Sequence, residues 1–300
     1  MKRFYRLVLC VTLALSISHR LLAQSLQERL QNFGEDFSKG YTAPLVNAFG
    51  ASLNSGWYQT ANVDDGLDIF IGVKVMLMPI PDADKTFNIA SPYDGVVQNV
   101  PTAFGSKDEV AISPGNVTAT PNKYPGGFDF PFAPMLVPHV SVGNMFGTRV
   151  MLRWLPQVKF GDIGDFSFFG LGVQHSVNRY VPLLPLDVSA MIAYQNLSVG
   201  DLLTTKAFTF GVQASKSFAV LTVYGGIAYE SSTMSFSYTA TYTDPNTSLT
   251  VTRPISFDLS GKNNARATVG LALSLAVIKI NADYSLASQP VISAGLGVGW

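Results

Sequence analysis

From Leu67 to Leu77, and in successive runs from Leu136 to the end of the chain, large apolar residues recur at every second position. In "LDIFIGVKVMLM", Leu67, Ile69, Ile71, Val73, Val75 and Leu77 share one face, and Asp68, Phe70, Gly72, Lys74, Met76 and Met78 share the other. A period of two predicts an extended strand with two unlike faces. The pattern returns at Leu136, Val140 and Val142, then at Val150, Leu152 and Trp154, with Arg149, Met151 and Arg153 opposite. Phe169, Leu171 and Val173 oppose Phe168, Gly170 and Gly172, and Val188, Ala190, Ile192 and Tyr194 follow. Phe208, Phe210, Val212 and Ala214 oppose Thr209, Gly211, Gln213 and Ser215. A long strand pair is predicted over residues 220–242 and 249–275, joined at "TDPNTS", with Arg266, Thr268, Gly270 and Ser274 on one face of its second arm. Ile278, Ile280 and Tyr284 oppose Lys279, Asn281 and Asp283. In the closing "VISAGLGVGW", Ile292, Leu296, Val298 and Trp300 oppose Ser293, Gly295, Gly297 and Gly299.

These runs make about ten strands of the length a tilted membrane crossing needs, roughly 9 to 11 residues. The face opposite the apolar one is rich in glycine and serine, as in a barrel whose greasy face meets lipid and whose other face lines a lumen. The predicted fold is therefore all-β, an antiparallel transmembrane barrel of about ten strands. Twelve strands is the runner-up, and a secreted β-sandwich the soluble alternative. Short connections such as "GNMFG" and "KSFA" alternate with longer ones such as "PQVKFGDIG" and "NLSVGDLLTTK", although "NRYVPLLPLD" is long where a short turn is expected. Between Pro79 and Pro134 the alternation stops; nine of the 17 prolines fall there, which rules out a central strand. This stretch reads as a long outer loop.

Before the strands, residues 24–60 read as helical. "SLQERLQNFGEDF" places Leu26, Leu30 and Phe33 at helical spacing, with Ser25 as a cap and Glu28 three residues on. "TAPLVNAFGASLNSG" does the same with Leu45, Val46, Phe49 and Leu53, starting near Thr42 and stopping at Gly56. This segment is expected to plug or cap the periplasmic end of the barrel, with Phe33, Phe37, Leu45 and Phe49 inside. The domain reading is thus 1–23 leader, 24–60 plug or cap, and 61–300 barrel, with the loop at 79–134.

Composition sharpens this picture. The chain is 47% hydrophobic and only 13% charged, where a soluble domain carries about 25% charged residues. Yet no stretch after the first 23 residues reaches the roughly 18 apolar residues of a spanning helix. "MKRFYRLVLCVTLALSISHRLLAQ" has a basic head, an apolar run and a small residue at Ala23, the pattern of a secretory signal peptide. Cys10, the single cysteine, falls within it, which leaves no disulfide framework or cysteine metal site beyond the leader. Subtracting Lys2, Arg3, Arg6 and Arg20 from the zero formal charge leaves −4. No basic stripe of the nucleic-acid kind is present. The expected location is the bacterial outer membrane, as a monomer. The expected partners are membrane lipids, the barrel assembly machinery and a small hydrophobic ligand, with no cofactor, metal or nucleic acid.

"YTAPLVNAFGASLNSGWYQTA" and "GLGVQHSVNRYVPLLPLDV" resemble an uncharacterised family of outer-membrane barrels of Bacteroidota-type bacteria. The layout of plug, long outer loop and final aromatic strand is similar to that of FadL-type transporters of hydrophobic compounds. The resemblance implies a channel or transporter for small hydrophobic molecules; a structural or surface-recognition barrel is the alternative. It also makes Leu296, Val298 and Trp300 an assembly signal.

Candidate chemistry is sparse. Tyr124, Phe128, Phe130, Phe132 and Met135 form a potential apolar ligand patch at the end of the loop. Asp68, Lys74, Arg149, Arg153, Lys279 and Asp283 fall on the lumen face, where they would form wall ion pairs or set selectivity. His139 and Ser141 form an H-x-S pair that resembles the base and nucleophile of outer-membrane lipid hydrolases, but both face inward and no orienting acid follows. Asp82 and Asp84 resemble the acidic pair of omptin proteases, without the second Asp-x-His pair. His175 reads as a hydrogen-bonded wall residue. No catalytic site is expected, and the protein is not read as an enzyme.

Overall fold

The computed structural model describes residues 26–63, 67–90, 96–112, 123–143, 146–159, 165–181, 183–243 and 249–300. The leader at 1–23, the cap at Ser25 and the "TDPNTS" join, but for its first residue, lie outside them.

A helical turn over 26–30 precedes helix α1 (Glu35–Leu53). The strands follow: β1 (Asp68–Pro79), β2 (Thr86–Ala90), β3 (Val96–Pro101), β4 (Val110–Ala111), β5 (Lys123–Tyr124), β6 (Phe132–Gly143), β7 (Thr148–Lys159) and β8 (Asp165–Ser176). Then come β9 (Asp187–Val199), β10 (Leu203–Phe218), β11 (Leu221–Thr243), β12 (Thr250–Ser260), β13 (Ala265–Leu275), β14 (Ile278–Leu286) and β15 (Val291–Gly299). Consecutive barrel strands pair antiparallel, and β1 pairs with both β6 and β15, which closes the sheet. The 11 strands of this sheet make a ten-strand barrel, because β12 and β13 lie end to end along the single long strand β11. The predicted long second arm is therefore interrupted at residues 261–264. There Gly261 N–H donates to Ser232 O (3.0 Å) and Lys262 N–H to Asn47 Oδ1 on α1 (3.0 Å).

The rim where β1 begins and β15 ends, the terminal rim, carries short turns at 219–220 and 276–277. It also carries the long 177–186 connection that fitted the expected alternation poorly. The opposite loop rim carries residues 80–131, with the small hairpins β2–β3 and β4–β5. One expected long loop is corrected. "NLSVGDLLTTK" is mostly strand, leaving only 200–202 between β9 and β10, since Leu197 and Leu203 continue the inward alternation and are buried.

The outer face has two parts. Ile71, Leu152, Leu171, Ile192, Val212, Ile227, Leu271, Ile280 and Leu296 point outward on successive strands and are exposed. The aromatic side chains of Trp154, Phe169, Tyr194, Phe210, Tyr229 and Tyr284 lie outward beside them. Along β11 this belt ends at Tyr229. Beyond it the outward positions are Ser231, Thr233, Ser235, Ser237, Thr239 and Thr241, and facing β12 presents Thr252, Pro254, Ser256 and Asp258. At 23 residues β11 is about twice as long as a membrane crossing requires.

The inner face inverts at the same level. Toward the loop rim it is apolar: Met76, Met78, Phe168, Leu197, Leu203, Met234, Phe236, Tyr238, Ile255 and Phe257 are all buried. Toward the terminal rim it is polar: Arg149, Arg153, Gln174, Gln195, Gln213, Glu230, Arg266 and Asn281 are equally buried.

Helix α1 fills the apolar part, with thirteen of its 19 residues buried. It begins at Glu35, earlier than the expected start near Thr42. Phe37 and Tyr41 extend the stripe of Leu45 back by helical turns, and their burial outweighs the hydrogen bond that Pro44 cannot donate. Phe37 stacks on Tyr41 at 5.3 Å and on Tyr124 at 5.1 Å. At Gly40 the β2–β3 hairpin and at Gly50 the wall come so close that any side chain would collide, with the Phe87 ring and with Ser232 respectively.

The segment threads the lumen lengthwise. Gln31 O accepts from Thr241 N–H, high on β11, and Arg29 donates to Gly126 O in the loop. At the other end Ala61 N–H donates to Ser215 Oγ at 2.9 Å, near the terminal rim. Residues 26–33 therefore lie at the loop rim and residues 57–62 near the terminal rim. The segment traverses the barrel instead of capping one end, because the apolar cup that can bury Phe33, Phe37 and Leu45 lies at the loop rim.

Candidate functional site

The end of α1 meets the polar ring of the wall. A helix leaves its last carbonyls without intrahelical partners, and its C-terminus carries partial negative charge. Two arginines from the wall answer both. Arg153 Nη1 donates to Leu53 O (3.3 Å), and Arg266 Nη2 donates to Ala51 O (2.8 Å). Gln195 also donates to Leu53 O, and Trp57 Nε1 does so at 3.2 Å. The Arg153 guanidinium lies 3.8 Å from the centre of the Trp57 ring, a cation–π contact. Arg266 is held from behind by Glu230 at 2.8 Å, and the two side chains are 3% and 0% exposed. Removing either partner would leave a buried charge alone.

Beside this clamp runs a second network. Lys74 Nζ donates to Asn281 Oδ1 (2.6 Å), Asn281 Nδ2 to Tyr224 OH (3.1 Å), and Tyr224 OH to Asp283 Oδ2 (3.0 Å). Nearer the rim, Arg149 pairs with Asp68, donates to Gln174 Oε1 (3.0 Å) and reaches Asn62 O (3.1 Å). The six charged residues expected on the lumen face thus all point inward, and Lys74, Arg149, Arg153 and Asp283 are buried. Arg149–Asp68 is an ion pair; Lys74 and Asp283 are linked through Asn281 and Tyr224.

Below Trp57 the lumen opens into a cavity of about 350 Å³ at the terminal rim. Its lining includes Trp57, Phe70, Met151, His139, Ser141 and Lys279. His139 Nδ1 accepts a hydrogen bond from Arg153 Nε at 3.2 Å. A neutral imidazole has one lone pair, so its proton sits on Nε2, and neither nitrogen is left to take a proton from Ser141. Trp57 and Phe70 pack edge-on against the ring, each at 5.8 Å. Between this cavity and the apolar cup lies a void of about 10 Å³.

The five loop residues considered as an apolar patch do not form one exposed surface: Phe128 packs against the same core that buries Tyr124 and Met135. Tyr124 and Met135 are buried in the core around α1; Phe128 stacks on Phe130 at 6.1 Å and lies under Arg29; Phe132 points outward from β6. Asp82 and Asp84 sit in a short 3-10 turn beyond β1. Lys85 donates to Asp82 at 2.6 Å and holds its carboxyl below the usual carboxylate range. Asp84 pairs with Lys262 at 3.0 Å. His175 lies between Thr148 (2.8 Å) and Tyr180 (2.9 Å) on the terminal rim. Leu296, Val298 and Trp300 all face outward.

Sequence reasoning did not single out Trp57, Gln174, Gln195, Glu230 or the clamp role of Arg266. The inward parity of Arg266 on β13 was the one available signal, since its partners are backbone atoms of α1 and a residue of another strand.

The whole chain, residues 1–300, matches one family model, and the protein belongs to that family, described as "Family of unknown function (DUF6588)". No curated protein matches it. Among solved structures it is similar to a chain described as "Asymmetric conductivity of engineered proteins", at 13% identity and a TM-score of 0.20, covering 78% of this chain and 100% of that one. A mutant porin of Rh. blastica gives 13% identity and a TM-score of 0.20, with 78% and 99% covered. Superpositions this shallow transfer nothing from those proteins to this one.

Proposed function

We propose that this protein is an outer-membrane barrel that works as a gated passage for small, largely apolar molecules, with α1 and the turn at Trp57 as the gate. The observation that carries the reading is the reversal of polarity at one level of the wall. Below it an apolar outer belt with an aromatic border surrounds a polar lumen, the arrangement a bilayer demands. Above it, along β11 and β12, the outer face is rich in Ser and Thr and the inside is a core, as in water. The gate reading rests on the clamp. The last turn of α1 is held by side chain-to-carbonyl hydrogen bonds, which can exchange for water, while its upper turns are held by ring packing. Export through the leader and insertion by the barrel assembly machinery belong to this reading.

The test is planar-bilayer conductance and solute efflux from liposomes. The wild-type protein is expected to be closed for most of the time. Arg153→Ala should raise the open fraction, since it removes one of the three donors to Leu53 O and the cation over the Trp57 ring together. Identical traces for the two proteins would sink the gate.

One observation favours a second reading. α1 fills the cup, and the cavity below Trp57 is separated from it by protein. A barrel that never opens would serve to hold its loop rim at the cell surface for recognition, and it would show no efflux with any clamp variant. We assign no hydrolysis to His139 and Ser141: Ser141→Ala should leave phospholipid and lipid A cleavage at background, and a measurable activity lost in that variant would overturn the assignment.

A further inference from the structure

We propose that the cavity at the terminal rim is a binding site for a small organic anion, a carboxylate carried on a compact apolar body. The charges of the lining do not balance. Arg149 is neutralised by Asp68, whereas Lys279 has no carboxylate within ion-pair distance among the described residues. The Lys279 stem lies over Gly299, where a side chain would begin 3.2 Å from its Cγ, so the strand leaves it room to reach the cavity. Ser141 Oγ, also without a partner among the described residues, supplies a second donor.

Trp57, Phe70, Met151 and Ala272 give the cavity an apolar side, while the rest of its lining is largely polar, with Gln59, Thr60 and Thr222 in it. A cavity of about 350 Å³ is near the lower end of ligand sites, about 300 to 1,000 Å³, and suits a ring-sized molecule. The unpaired Lys279 cation and the Ser141 hydroxyl, in one cavity with the Trp57 and Phe70 rings, recognise a ligand with one charged end and one apolar end. Neither an inorganic anion nor a neutral hydrocarbon would use both parts. The biological use of such a site rests on the passage proposed above, but binding itself does not require the barrel to open.

The test is isothermal titration of the purified, full-length barrel in detergent with benzoate and with benzyl alcohol, which has the same ring without the charge. Benzoate should bind saturably at one site, and benzyl alcohol about tenfold more weakly or not at all. Lys279→Met should abolish the preference, and Lys279→Arg should keep it. Each variant must still migrate differently before and after boiling, which separates lost binding from lost folding. No saturable binding of benzoate, or a preference unchanged in Lys279→Met, would overturn the proposal. Conductance is read separately, so a barrel that binds benzoate but conducts no more as Arg153→Ala than as wild type would refute the passage and leave this site standing.

Discussion

The two halves of the wall are built from the same strands, yet they obey opposite rules. In the half at the loop rim, β11 turns Ser235, Ser237 and Thr239 outward and Met234, Phe236 and Tyr238 inward. In the half at the terminal rim, the same strand turns Val223, Ile227 and Tyr229 outward and Thr222, Tyr224 and Glu230 inward. The upper half is stabilised as a soluble domain is, by removing rings from water around α1. The lower half has a smaller apolar cluster, around Trp57, Met151, Met191 and Tyr224. It leans more on pairing of its buried polar groups, and α1 supplies several of those partners as backbone carbonyls. One strand carries both halves because a two-residue period is indifferent to which of its faces becomes the core.

The comparison breaks most sharply at the buried pair. Arg266→Ala should destabilise the barrel by about 3 to 5 kcal/mol, because Glu230 is left charged and alone. Arg266→Met with Glu230→Gln should recover much of that loss; denaturant titration with tryptophan emission reads both. In the upper half the matching test is Phe236→Ala, which should cost about 3 to 5 kcal/mol through the cavity it leaves. It should loosen α1 without changing the Arg153–Trp57 contact, a result hydrogen exchange over residues 35–53 would show.

Next in size is a charge on the outer face. Leu271→Arg, in the belt, should cost roughly 2 to 4 kcal/mol in a bilayer. Ser235→Arg, on the upper face of β11, should change stability by less than about 0.5 kcal/mol. Equal costs at the two positions would erase the distinction. The smallest expected effect is at Asp84: Asp84→Asn removes a pair whose lysine, Lys262, is exposed, and should cost at most about 1 kcal/mol.

Much of the lower half is legible in the sequence. Outward Leu271 and inward Arg266 follow from parity alone, as do Lys74, Arg149, Arg153, Lys279 and Asp283. What parity cannot give is the partner. Arg153 finds Leu53 O and Trp57 from a segment a hundred residues away, and Gln195 carries no signal that sets it apart from other polar wall residues. The inversion was written in "SSTMSFSYTATYT", where Ser and Thr alternate with Met, Phe, Tyr and Ala, but the same letters fit a lumen face. The early start of α1 was hidden by Pro44, whose local cost is overridden by packing against Phe87 and Tyr124. Tyr124, Phe128, Phe130, Phe132 and Met135 are neighbours in sequence, but the core around α1 takes Tyr124 and Met135, with Phe128 packed against it, and leaves Phe130 and Phe132 exposed.

The central claim is that a bilayer surrounds the lower half of the wall and water the upper half. Single cysteines at Leu271 and at Ser235, in protein whose Cys10 is removed, can carry the same fluorophore in proteoliposomes. A lipid-soluble quencher should dim the label at 271 and spare the one at 235, and aqueous iodide should do the reverse. Iodide quenching both labels equally would contradict the account.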